Sequence, residues 1–121
     1  MLLGAHVSTA GGMVQAVRQG LELRCEAIQV FTRNQRQWEP RALDPADASA
    51  FREEARAAGF LSAAVSHASY LVNLAASEEP VRSRSLQAMR DEIERCASLG
   101  IPYLCVHPGS HLGAGEEKGL E

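Results

Sequence analysis

Three histidines sit where short apolar runs give out. His6 follows Leu2-Leu3-Gly4-Ala5, His67 follows Ala63-Ala64-Val65-Ser66, and His107 follows Tyr103-Leu104-Cys105-Val106. Neutral imidazole is the commonest protein ligand for zinc and related ions. One such histidine is usually structural. Three at equivalent strand ends point to a shared metal site. His111 lies one turn past His107 and reads as a loop group, or a group supporting the ligands, rather than a ligand itself.

A fourth apolar run, Ala27-Ile28-Gln29-Val30-Phe31, ends differently. It leads into Thr32-Arg33-Asn34-Gln35-Arg36-Gln37-Trp38, with two arginines, three amides and an indole, and no acid before Glu39. A solvated loop is the plain reading. Arginine and amides also reach phosphates and groove edges, and tryptophan stacks on bases. Tyr70-Leu71 follows His67 closely. The pair is either a wedge for a base stack or rim packing.

These groups need elements to hold them. The four runs are short, and the β-branched and aromatic Ala27–Phe31 run reads most clearly as a strand. Between them lie helical patterns. Ser8 or Thr9 caps the first helix, with Met13, Val17 and Leu21 inward and Val14 beside them. Asp44-Pro45 opens the second, Asp47 favours its positive end, and Gly59 ends it. Its stripe is Ala48, Phe51, Ala55 and Ala58. Residues 68–76 read as irregular or one to two helical turns. A long helix starts near Pro80, with Leu86, Met89, Ile93, Cys96 and Ala97 inward and Gly100 and Pro102 as its stop. Its acids Asp91, Glu92 and Glu94, with Glu78-Glu79, read as a solvated face paired with Arg82, Arg90 and Arg95. Another helix is expected where the chain ends, at Glu121.

Strand and helix alternate, so the class is α/β with parallel pairing and right-handed crossovers. Catalytic groups on such sheets gather at the C-terminal strand ends.

Composition narrows the function. The 121 residues, 45% hydrophobic and 22% charged, make one globular domain. They are too few for a closed eight-stranded barrel, which takes about 200–250 residues. The net charge of −3 gives no global support for nucleic-acid binding, so any DNA contact must rest on a local patch. Cys25, Cys96 and Cys105 form no CxxC and read as small buried hydrophobes in a reducing compartment. No leader or membrane span is apparent, and a cytoplasmic location is expected. There is no P-loop, GxSxG, GxGxxG or zinc-finger spacing.

Four segments together resemble the endonuclease IV family: Gly4-Ala5-His6-Val7-Ser8 with Ala10-Gly11-Gly12, Phe31 to Trp38, His67 to Leu74, and His107-Pro108-Gly109-Ser110-His111. They stand in order and at suitable spacing. The resemblance spans essentially the whole chain but less than half of the family's usual length. It implies the first half, four strands, of a single (β/α)₈ TIM barrel. It also implies a zinc-dependent deoxyribonuclease that cuts double-stranded DNA on the 5′ side of abasic sites in base-excision repair. The family carries a trinuclear zinc cluster. His67 and His107 match two ligands of one metal, and His6 matches a position at the cluster's edge. Arg36 matches a residue entering the minor groove, and Tyr70 and Leu71 match residues that fill the gap in the base stack.

The family's other ligands, including a bridging glutamate, have no counterpart here. Two imidazoles bind zinc weakly beside a closed site. The chain alone is therefore expected to be inactive. The competing readings are a metal-dependent sugar isomerase or epimerase of the same barrel type, and a non-catalytic half-barrel that pairs with a partner. Full-length members of the family are usually monomers. A half-barrel has open edges that favour self-association.

Overall fold

The computed structural model describes residues 1–121 as a four-stranded parallel sheet with helices. The elements are β1 (Gly4–His6), α1 (Met13–Glu22), β2 (Ala27–Val30), α2 (Pro45–Ala57), β3 (Ala64–His67), α3 (Val81–Leu99), β4 (Tyr103–Cys105) and α4 (Glu116–Leu120). Strand order follows the sequence, and all three pairings are parallel. Gly4, Ile28 and Val65 pair with Ala27, Ala64 and Tyr103 respectively.

Side chains alternate across a strand, and here the alternation separates core from site. Ile28, Val30 and Ala64 face the helices and are almost fully buried. They meet Val17, Phe51, Phe60 and Leu99 in one apolar cluster. The opposite face carries Gln29, Val65, His67, Tyr103 and Cys105. Tyr103 and Cys105 are exposed there.

Helix α2 forms as its sequence dictates. The Asp44 carboxylate accepts the Ala46 N–H at 2.8 Å, and Pro45 takes the first helical position. Ala48, Phe51 and Ala55 are inward, while Ala58 is only half-buried. Gly59 and Gly100 adopt positive φ beyond the ends of α2 and α3, as expected of C-terminal glycines.

Several local expectations fail for physical reasons. Neither Ser8 nor Thr9 caps α1. Gly12 holds the cap position, and Asp47 reaches over from α2 to accept the Met13 N–H at 3.1 Å. Leu21 is exposed, and Gly20 takes its inward place. The packing requires it: a Cβ on Gly20 would lie 2.7 Å from Ile28 Cγ2.

The phase of α3 is also shifted. Its buried positions are Ser85, Ala88, Glu92, Cys96 and Leu99, while Leu86 and Ile93 are exposed. The helix turns polar groups inward because partners await them there. Hydrophobicity alone therefore misplaces the face. Glu92, expected in a solvated cluster, is only 1% exposed. Of the cysteines, Cys96 is buried, Cys25 half-buried and Cys105 exposed, and none is paired. Cys105 is not the buried hydrophobe expected, because its strand position points away from the helices. No helix is long and apolar enough to cross a membrane.

Candidate active site

The strand ends bring four aromatic rings together. His6 ends β1, Phe31 follows β2, His67 ends β3, and His107 lies two residues past β4. The His67 and His107 ring centroids are 5.2 Å apart. The His6 ring packs against Phe31 at 4.4 Å, tilted by 48°, and stands 6.3 Å from His67. The parallel sheet therefore gathers residues 61 and 40 positions apart at one end.

The three-imidazole metal site suggested by spacing does not form. No three His, Cys, Asp or Glu side chains are disposed to hold one ion. His6 is turned into the Phe31 contact, and its Nδ1 lies 2.9 Å from Gln29 Oε1.

Hydrogen bonds separate the remaining imidazoles chemically. His67 Nδ1 lies 2.7 Å from the Ala68 carbonyl oxygen. A carbonyl only accepts, so Nδ1 is the donor. In the neutral ring Nε2 then keeps a free lone pair, the state a metal ligand needs. His111 is the reverse. Its Nδ1 accepts N–H bonds from Gly113 and Gly115 at 3.1 and 3.2 Å. Its lone pair is spent on folding the loop, which suits a supporting group and not a ligand. The pair His67 and His107 thus offers two neighbouring imidazoles, with no third His, Cys, Asp or Glu placed beside them to complete a metal site.

The loop after β2 is anchored from below. Thr32 and Ser66 both donate hydroxyl bonds to Glu92 Oε1, at 2.6 and 2.8 Å. One buried carboxylate of α3 thereby ties the ends of β2 and β3. Arg95 donates to the Thr32 carbonyl from Nε and Nη2, and to the Arg41 carbonyl from Nη1. Burial lowers the Arg95 pKa from its ordinary value; Glu92 opposes that shift and Arg33 adds to it. Burial likewise pushes the Cys96 thiol up, against a hydrogen bond with Ser66 that lowers it.

The two arginines of the loop have different fates. Arg33, expected among the DNA-reaching groups, is buried. Its Nη2 donates to the Gln37 and Trp38 carbonyls, so it shapes the loop from inside. Its Nη1 is 4.0 Å from Asp91, and Nε and Nη1 make no hydrogen bond. Arg36 is exposed at the tip. Asn34 Oδ1 accepts the Arg36 N–H at 2.9 Å, and Ser69 Oγ donates to the Gln35 carbonyl at 2.8 Å, joining this loop to the one carrying Tyr70. Trp38 is half-buried, with the Arg84 guanidinium 5.9 Å from its ring centroid.

Tyr70 is 71% exposed, so it is not packed into a rim. Its ring centroid is 5.6 Å from Phe31 and 5.7 Å from His67. Leu71 beside it is half-buried. A cleft of about 730 Å³ opens beside His6 and Phe31, lined also by Ser8, Thr9, Arg33 and Arg36 among others. Sequence reasoning missed Glu92 and Arg95 as supports of the site. The only available signal was the polar content of the α3 stripe.

Known proteins extend the picture. A family model described as "Xylose isomerase-like TIM barrel" matches residues 17–121. A protein named "Probable endonuclease 4" from Citrifermentans bemidjiense is 52% identical over 119 residues, covering 98% of this chain and 42% of its own length. One with the same name from Chloroflexus aurantiacus is 45% identical over 117 residues, covering 97% and 41%. The crystal structure of endonuclease IV from Thermus thermophilus superposes with a TM-score of 0.83 at 40% identity, covering 96% of this chain and 43% of that one. The chain spans about two fifths of the length of these relatives. Four parallel strands with their helices, the strand-end histidines and these matches lead to one assignment: the chain belongs to the xylose isomerase-like TIM barrel family and is similar to part of its endonuclease IV members.

Proposed function

We propose that this chain is the amino-terminal part, residues 1–121, of one (β/α)₈ domain of endonuclease IV type. The whole protein hydrolyses the phosphodiester on the 5′ side of abasic sites in duplex DNA, in cytoplasmic base-excision repair. The observation that carries this reading is the pairing of His67 and His107 at 5.2 Å at the end of the sheet where the loops after β2 and β3 expose Arg36 and Tyr70.

In this reading His67 and His107 hold zinc, which supplies Lewis-acid activation of phosphate and water when bound. The chain's own residues do the recognition. Arg36 enters the minor groove from the loop that Arg33 shapes. Tyr70 and Leu71 occupy the space left by a missing base. An abasic nucleotide costs least to displace from the stack, which favours damaged over intact sites. His6 and His111 support the cluster without binding metal. A small sugar has no use for so exposed an Arg36 and Tyr70, which weighs against the isomerase reading.

Two measurements test this. In a gel shift at low salt, the chain is expected to retain a duplex carrying one abasic site more strongly than the intact duplex. Tyr70→Ala is expected to remove that preference, at about 1–3 kcal/mol for a lost stacking contact. With excess zinc, the same mixture is expected to show no incision, because two imidazoles lack the remaining ligands. Equal retention of both duplexes, or nicking by the purified chain, contradicts the proposal.

A further inference from the structure

The His67 and His107 loops are joined by one side chain that no role yet explains. Asn73 Oδ1 accepts the Ser110 N–H at 2.9 Å, and its Nδ2 donates to the Ser110 carbonyl at 3.0 Å. A single amide thus satisfies both backbone groups of one residue, as a neighbouring strand would. Asn73 is itself fixed from behind. Its backbone N–H donates to Ser85 Oγ at 2.9 Å, and Ser85 is fully buried in α3. Backbone bonds run alongside, from Ala68 to the Cys105 carbonyl and from Ala75 to the Pro108 carbonyl.

Gly109 shows how closely the two loops meet. Its φ is +109°, and a Cβ there would collide with Asn73 Oδ1 and lie 2.9 Å from Asn73 Cα. Ser110 lies three residues after His107, and Asn73 six after His67. Both imidazoles therefore stand on segments whose separation is held by this amide together with the backbone bonds beside it.

We propose that Asn73 is a positioning residue that sets the spacing of His67 and His107. The metal arm rests on the reading of those two as zinc ligands; the geometric arm does not. Only an amide supplies both the donor and the acceptor. Aspartate keeps the acceptor for the Ser110 N–H and loses the donor to its carbonyl. Alanine loses both. The lost bonds lie at the surface, so the sheet and its core do not depend on them.

The test uses the full chain, labelled for nuclear magnetic resonance. In the metal-free chain, ring protons of His67 and His107 are expected to show a mutual nuclear Overhauser effect. Asn73→Ala is expected to weaken it while the amide signals of β2 and β3 stay in place. Asn73→Asp restores it in part. In a zinc titration followed by histidine ring nitrogens, Asn73→Ala is expected to weaken the shared response by about tenfold, the lower end for groups that orient ligands. Should Asn73→Ala fail to fold, Asn73→Asp carries the comparison with the parent chain. An unchanged ring contact in a folded Asn73→Ala chain overturns the proposal, as does an aspartate variant no better than alanine. If the parent chain shows no joint zinc response, the metal reading fails and the ring contact alone decides on Asn73.

Discussion

The loop after β2 packs Phe31 against His67, the loop after β4 carries His107, and the two loops are held in opposite ways. The β2 loop is gripped from below by charged side chains: buried Glu92 on Thr32, half-buried Arg95 on the Thr32 carbonyl, buried Arg33 on the carbonyls of Gln37 and Trp38. The β4 loop is held from the side by a neutral amide near the surface. Buried charge must be taken out of water, so it stabilises only when its partners are complete. A neutral amide pair costs little to desolvate and mainly fixes distance. The first device couples loop and core, and the second adjusts geometry while leaving the core alone.

The largest effect that would break this contrast is at Glu92. Glu92→Ala leaves two buried hydroxyls without their acceptor and is expected to cost on the order of 3 kcal/mol. Glu92→Gln keeps an acceptor oxygen and should cost about half as much. Urea unfolding at constant m-value measures both. A Glu92→Ala chain as stable as its parent would dissolve the distinction.

Gly109→Ala tests the other loop. Forcing a side chain into φ +109° against Asn73 is expected to cost about 1–3 kcal/mol, confined to residues 107–111. Hydrogen exchange should show the β4 loop loosening while α2 stays protected. Global unfolding instead would mean that this loop, too, is coupled to the core.

Arg33 sharpens the comparison, because its grip is incomplete. Two of its nitrogens lack partners, so an apolar side chain of similar size should change global stability by less than about 1 kcal/mol. Arg33→Met is nevertheless expected to raise proteolytic cleavage within residues 34–43. A loss of several kcal/mol would show the guanidinium to be fully compensated.

The smallest effect is a pH dependence. Burial holds the folded Cys96 thiol above its ordinary value of 9.0. Below that value both states keep the proton and stability is full. Above it the unfolded chain releases its proton first, so stability falls as pH rises toward the folded value. Cys96→Ala should flatten this alkaline decline. Thiol labelling near neutral pH should modify exposed Cys105 well before buried Cys96.

The strands and their endings were legible because short apolar runs closed by a polar residue leave few alternatives. The helix starting at Pro45 was legible because Asp44 and Pro45 act locally. The face of α3 was not. Ser85 and Glu92 look like solvent residues until Asn73, Thr32 and Ser66 come within reach, and those lie 12 to 60 positions away. The cap of α1 hid for the same reason, since Asp47 belongs to another helix. In the candidate site, His6 and His67 do end their strands, while His107 lies two residues past its own. Nothing in their spacing told that His6 would turn to Phe31, or that the lone pair of His111 would be occupied by its own loop.

The order of the strands also sets a sequence in time. β2 and β3 each have a neighbour on both sides, while β1 and β4 have one. In the 121-residue chain alone, amides of the outer strands should therefore exchange with solvent sooner, through partial openings that leave the centre intact. Phe31 and His67 belong to the slow middle, His6 and His107 to the faster margins. The cluster is then a fixed pair of rings onto which two others close. In the 121-residue chain alone, all four rings stand together only while both outer strands are in place.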